Sequence, residues 1–219
     1  MRDAPPFTTH RRGFLARLAG AAGLAAIAPA RLLAEPAPAA DDPALEAWFN
    51  RIRGRHRIVF DAPAANGGMP VVWPRVYIDT MNATYKTTAA ADTAVVILRH
   101  QGAPLALDDA MWAKYGFGAQ LKVEDAGQPA TRNVYADITN LPVKGVGVKP
   151  LLQAGVLIGV CNVALGVLGM TIAGKTGGNA GEVTKELLAH VIPGIQVVPS
   201  GVMAVGRAQE KGCNYCFAG

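Results

Sequence analysis

Cys161 is the residue of this sequence best placed to do chemistry. It closes the apolar run Val156-Leu157-Ile158-Gly159-Val160, and Asn162-Val163-Ala164-Leu165 after it reads as the first turn of a helix. A thiol at a helix start meets unsatisfied backbone N–H groups and the positive end of the helix dipole, both of which favour the thiolate. The thiolate is the form that attacks sulfur or carries a persulfide. The competing reading is a small apolar filler, since free cysteine is commonly buried. His100 follows another apolar run and could serve as acid or base beside such a thiol, or sit on a surface loop before Gly102. Asp61 and Ser200 follow two further runs. They are candidates for binding, although such residues also cap turns and helices.

The other two of the three cysteines form Cys213-Asn214-Tyr215-Cys216, a C-x-x-C near the carboxyl end. If the segment turns, a redox-active or structural disulfide is open to it. If it is extended, the thiols point to opposite faces with Cα atoms about 10 Å apart, beyond disulfide reach. Phe217 rather than His follows, so c-type haem attachment is not indicated. The spacing of the cysteines and histidines completes no metal-binding signature, and no cofactor motif is present.

These positions depend on the elements that carry them. Four short runs rich in β-branched residues read as strands: 56–60, 94–98, 156–160 and 195–198. Their apolar character is continuous rather than alternating, as in parallel strands covered on both faces. Helical patterns separate them, over roughly 74–85, 104–114, 149–154, 162–170 and 181–190, and a helix from Ser200 to Lys211 precedes a last strand at 213–217. Alternation of strand and helix implies βαβ crossovers and a three-layer α/β sandwich on a mostly parallel five-stranded sheet. Ligands bind such sheets beyond the carboxyl ends of the strands, where Asp61, His100, Cys161 and Ser200 fall. Residues 116–140 fit neither period and read as a long loop or flap with a hairpin of its own. Ahead of the first strand, Asp42-Pro43 reads as an N-cap and first helical residue, with Leu45, Trp48, Phe49 and Ile52 on one face. Residues 40–55 are thus expected to be a linker and short amphipathic helix, and 56–219 the α/β domain.

Residues 1–39 read as a twin-arginine signal peptide. Arg11-Arg12 precede the weakly apolar stretch Leu18–Ala30, and Ala37-Pro38-Ala39 offers small residues for cleavage. A membrane-spanning helix needs about 20 apolar residues, whereas Arg17 and Arg31 bracket 13 here. The expectation is export to the periplasm through the twin-arginine translocase, with no stable membrane span after cleavage. The chain carries 21 basic and 16 acidic residues. Removing the five arginines and two acids of residues 1–39 leaves 16 against 14, a net of +2. So small a surplus gives no strong reason to seek nucleic acid.

Two stretches carry a family likeness. Leu152-Gln153-Ala154-Gly155-Val156-Leu157-Ile158-Gly159-Val160-Cys161-Asn162 resembles the DsrE/F-like family, as does Ile192-Pro193-Gly194-Ile195-Gln196-Val197-Val198-Pro199-Ser200-Gly201-Val202, continuing to Gly212. A Gly-Val strand ending in Cys, then a Val-Pro-Ser-Gly-Val turn and a helix ending in Gln-x-x-Gly, is the pattern. Arg99-His100-Gln101-Gly102 and the helix holding Asn82 also fit, and the likeness covers about residues 56–216. It implies a flavodoxin-like subunit in a homo-oligomer, a trimer or hexamer, and a family whose better-known members pass sulfur as a persulfide. Cys161 matches the family's strand-end cysteine, and Asn82 and Asn162 join the candidate binding set on the same ground. Two features differ from the pattern. The relay proteins are cytoplasmic, and their aromatic last strand is here Gly212-Cys213-Asn214-Tyr215-Cys216. Three readings stay open: a periplasmic sulfane-sulfur carrier using Cys161, a non-catalytic oligomeric binding or assembly module, and a thiol–disulfide protein using Cys213 and Cys216.

Overall fold

The computed structural model describes residues 42–87 and 91–219. The expected signal peptide lies outside the described residues. Asp42 caps helix α1 (Pro43–Phe49), its Oδ1 accepting the N–H groups of Ala44 and Leu45. Strand β1 (His56–Ala62) is followed by a 3-10 turn (Asn66–Gly68) and helix α2 (Met69–Tyr85), then strand β2 (Asp92–Leu98). A 3-10 segment (His100–Ala106) leads into helices α3 (Asp109–Tyr115) and α4 (Phe117–Leu121) and the hairpin β3 (Glu124–Asp125) and β4 (Gln128–Pro129). Helix α5 (Val148–Gln153), strand β5 (Leu157–Cys161) and helices α6 (Asn162–Thr176) and α7 (Ala180–Ala189) come next. Strand β6 (Gln196–Val198), helix α8 (Gly201–Glu210) and strand β7 (Asn214–Phe217) complete the chain.

The main sheet has five strands in the order β6-β5-β2-β1-β7, and every pairing in it is parallel. From β1 to β6 the chain steps in one direction, then crosses back to place β7 on the far side of β1. With right-handed crossovers, that reversal puts α8 on the face opposite the other connections. The two cores reflect this. Phe60, Val96, Leu98, Ile158 and Val160 face the larger cluster, while Val59, Val95, Ile97 and Leu157 face α1 and α8. The three-layer α/β sandwich expected from the alternating pattern is therefore present, with an all-parallel sheet.

Helix α1 belongs to the second layer. Trp48 lies against Gly159 of β5, where an added Cβ would stand 3.3 Å from the indole. Arg207 of α8 binds Glu46 and lies over the Phe49 ring. The short amphipathic helix before β1 thus packs onto the sheet domain. Two helices differ from their sequence patterns for local reasons. Pro74 reads as a first-turn residue, yet α2 begins five residues earlier, after Gly68 with φ +94°. The expected helix over 104–114 is split because Asp108 caps a new one, accepting the Met111 N–H.

The expected flap contains α4 and the β3–β4 hairpin, and side chains anchor it. Asn133, 1 % exposed, donates to the Leu105 and Leu107 carbonyls and accepts the Tyr135 N–H. Trp112, wholly buried, meets Phe117 and Tyr135 edge-on and donates to the Pro104 carbonyl. No helix among the described residues is long and apolar enough to cross a membrane.

Candidate functional site

Parallel pairing brings the strand ends level. Ala62 stands beside Leu98, Leu98 beside Val160, and Cys161 beside Val198. Just beyond lies a cleft of about 770 Å³. Arg99, His100, Cys161 and Ser200 line its sheet end, α6 forms one wall with Val163, Val167 and Leu168, and the flap contributes Phe117, Leu121 and Tyr135.

Cys161 occupies the N-cap position of α6 in an extended conformation, and its Sγ accepts the Ala164 N–H at 3.3 Å. A thiol thus fills the place that Ser or Asp ordinarily takes. It is 6 % exposed and lines the cleft, which gives it a route to solvent. The turn before α8 closes over it. A Cβ on Gly201 would stand 2.6 Å from the Arg99 Cβ and 3.2 Å from the Cys161 Cβ, so only glycine lets the α8 start approach. Ser200 is the N-cap of α8 but makes no side-chain capping bond, and the residue lines the cleft.

Arg99 follows β2 and its side chain is held from below. Its Nε and Nη2 donate to the two carboxylate oxygens of Asp61 at 2.6 and 2.9 Å, and the Tyr215 hydroxyl donates to the same carboxylate at 3.0 Å. Asp61 is 4 % exposed and lies outside the cleft lining. It is therefore an anchor for Arg99 rather than a group facing ligand. The Asp61 hydrogen bond holds the guanidinium above its ordinary pKa, outweighing the opposing effect of partial burial. Desolvation, and then the Asp61 carboxylate, push the Tyr215 phenol up, which keeps it a donor. His100 is exposed at the cleft with φ +50°, a left-handed conformation uncommon for a residue with a side chain.

The structure thus brings Cys161, His100 and Ser200 to one cleft and puts Asp61 beneath it. Asn162, half-buried in the first turn of α6, lies outside the lining. Asn82 lies at the opposite, amino-terminal edge of the sheet, where it accepts from Thr87 and borders a cavity of about 60 Å³ beside Asp92. The helix α2 runs antiparallel to the strands, so its last turn cannot reach their carboxyl ends. Cys213 and Cys216 are both free. β7 is extended, which sends Cys213 into the α1/α8 core and Cys216 against the opposite one, so this C-x-x-C does not form an internal disulfide here. Burial pushes the Cys213 thiol up to about 11. Arg99 and the flap side chains are site residues that the sequence reading passed over. Arg99 follows a strand end as His100 does, and the same rule applied one residue earlier finds it. The flap carries no periodic signal.

Fold and site together define a three-layer α/β protein with a helix-capping thiol in a cleft at the carboxyl edge of its sheet. No protein-family model matches the chain, and no curated protein matches it.

Proposed function

We propose that this is an exported DsrE-like sulfur-handling protein in which Cys161 carries sulfane sulfur as a persulfide. The observation that carries this reading is the Cys161 sulfur at the head of α6, bordering a cleft that also holds Arg99, His100 and Ser200. In the loading step the Cys161 thiolate attacks the outer sulfur of a donor such as thiosulfate. A new S–S bond forms at Cys161, the donor's own S–S bond breaks, and its electron pair leaves with sulfite. Arg99 offsets negative charge on the donor, and His100 takes up or returns the thiol proton. Arg11-Arg12 and the stretch after them support passage through the twin-arginine translocase to the periplasm. Exposed Val202, Tyr215 and Phe217 support assembly into a homo-oligomer, a trimer or hexamer.

A second reading, a non-catalytic binding module, is favoured by one observation. The Cys161 sulfur already serves as a helix cap and is nearly buried. Mass spectrometry of purified protein decides between them. After incubation with thiosulfate, an organic persulfide or an organic thiosulfonate, the sulfur reading expects a mass gain of one sulfur atom. The gain maps to Cys161, is reversed by dithiothreitol and is absent in Cys161→Ser. Wild-type protein left unmodified by all three donors leaves the module reading.

A further inference from the structure

The cleft is far larger than an inorganic sulfur donor requires. A volume of about 770 Å³ lies in the range of sites that enclose whole organic molecules. Its chemistry is divided. At the sheet end stand Cys161, Arg99, His100 and Ser200, and Arg99, whose Nε and Nη2 go to Asp61, has no bond at Nη1 among the described residues. Away from that end the walls are mainly apolar, with Val163, Val167 and Leu168 on α6 and Phe117 and Leu121 on the flap, while Thr171 and Gln120 add a polar group to each wall. Lys122 adds a second cation from the flap, and among the described residues the lining contains no carboxylate. Val163 and Val167 are 45 % and 49 % exposed on this wall, apolar surface that a ligand body would cover.

We propose that the ligand of this cleft is an organic anion with an apolar body, its acid group at Arg99 beside Cys161 and its body between α6 and the flap. For the sulfur chemistry, which rests on the reading above, the donor class is an organic thiosulfonate, R–SO2–S⁻, rather than thiosulfate. The Cys161 thiolate attacks the terminal sulfur, the sulfur–sulfur bond of the donor breaks, and its electron pair leaves with the sulfinate R–SO2⁻. Cys161 retains the sulfur as a persulfide. The binding claim does not need this step.

The test uses methanethiosulfonate and hexanethiosulfonate, which share one reactive head and differ only in the apolar body, with free glutathione as the reference thiol. Relative to glutathione, the hexyl donor loads Cys161 faster on the order of tenfold or more, the size that burying two CH2 groups supplies. In parallel, hexanesulfonate, which cannot transfer sulfur, binds Cys161→Ser by calorimetry and methanesulfonate binds more weakly. Val167→Asp, at a half-exposed position that tolerates a polar side chain, reduces the hexyl preference in both measurements. Equal loading by the two donors together with equal binding of the two sulfonates overturns the proposal and leaves the sulfur reading standing. Tight hexanesulfonate binding with no sulfur loading by either thiosulfonate supports the ligand class and removes thiosulfonate as the donor; the sulfur reading itself falls only if thiosulfate and an organic persulfide also leave Cys161 unmodified. Failure of both loading and binding overturns the proposal.

Discussion

Arg99 and Asp61 share two hydrogen bonds beneath the cleft, and Tyr215 supplies a third to the same carboxylate. The carboxylate is almost wholly buried, whereas the Arg99 side chain is 28 % exposed. Removing the acid leaves a partly buried cation without its partner. After allowance for the solvent that reaches Arg99, Asp61→Ala is expected to lower stability by about 2 kcal/mol, read as a shift of the urea midpoint. Arg99→Lys keeps the charge but loses the two-pronged geometry, and should slow sulfur loading while leaving most of the stability. Cys213 makes a pH prediction. Its pKa is raised from an ordinary 9.0 to about 11 by burial. The folded state therefore keeps this proton in a range where the unfolded chain loses it. The resulting stability is full below pH 9 and falls as pH rises through 9 to 11, by on the order of 2 kcal/mol. Cys213→Ala should make that alkaline slope shallower in denaturation curves collected across the range, the remainder coming from tyrosines whose pKa values burial also raises. Native Cys213 should also resist iodoacetamide at neutral pH, since it is buried and protonated there.

At the scale of elements, α6 and the flap decide whether the thiol faces a usable space. α6 approaches α7 closely because Gly169 lies against Thr184, where an added Cβ would stand 2.1 Å from its Oγ1. The flap is kept on the opposite wall by Asn133, which ties it to the 3-10 segment after β2. Asn133→Ala strands two buried carbonyls and the Tyr135 N–H. It is expected to cost about 2–3 kcal/mol and to raise the rate of proteolytic cleavage within residues 116–140. If the flap forms a wall of the binding site, the same variant weakens hexanesulfonate binding at temperatures where the sheet core remains folded. Gly201 is the other sensitive position. Any side chain there must displace the stem of Arg99 or the start of α8, so Gly201→Ala perturbs both Arg99 and Cys161 together.

For the whole molecule, the proposed export and assembly make separate demands. Replacing Arg11 and Arg12 by lysine is expected to leave precursor in the cytoplasm and little protein in the periplasmic fraction, scored by immunoblot. The α/β domain itself carries a net charge near neutrality once residues 1–39 are removed, so overall charge repulsion does not oppose the proposed assembly. Sedimentation velocity of the exported protein should show a species larger than one chain. Tyr215→Glu and Phe217→Glu, both half-exposed on the edge strand β7, should shift it toward the monomer if that edge is the interface.

Much of this architecture was legible because parallel strands buried on both faces leave continuous apolar runs. Four such runs matched β1, β2, β5 and β6 to within two residues at their ends, and the strand-end rule delivered Cys161, His100 and Ser200 to one cleft. Asp61 was also placed at that edge, but whether a strand-end carboxylate faces ligand or an arginine is a matter of side-chain packing, which spacing does not encode. Asn82 lay at the wrong end because likeness of residue type says nothing of which edge a helix turn reaches. The opposite faces of Cys213 and Cys216 follow from strand periodicity once β7 is known to be extended, and only its parallel pairing with β1 decided that. The cleft itself came from contacts between residues distant in sequence. The flap is held by Asn133, Trp112 and Tyr135 through bonds and ring contacts that have no local period, so the order of strands and helices was written in the chain, while the space they enclose was set by the folded packing alone.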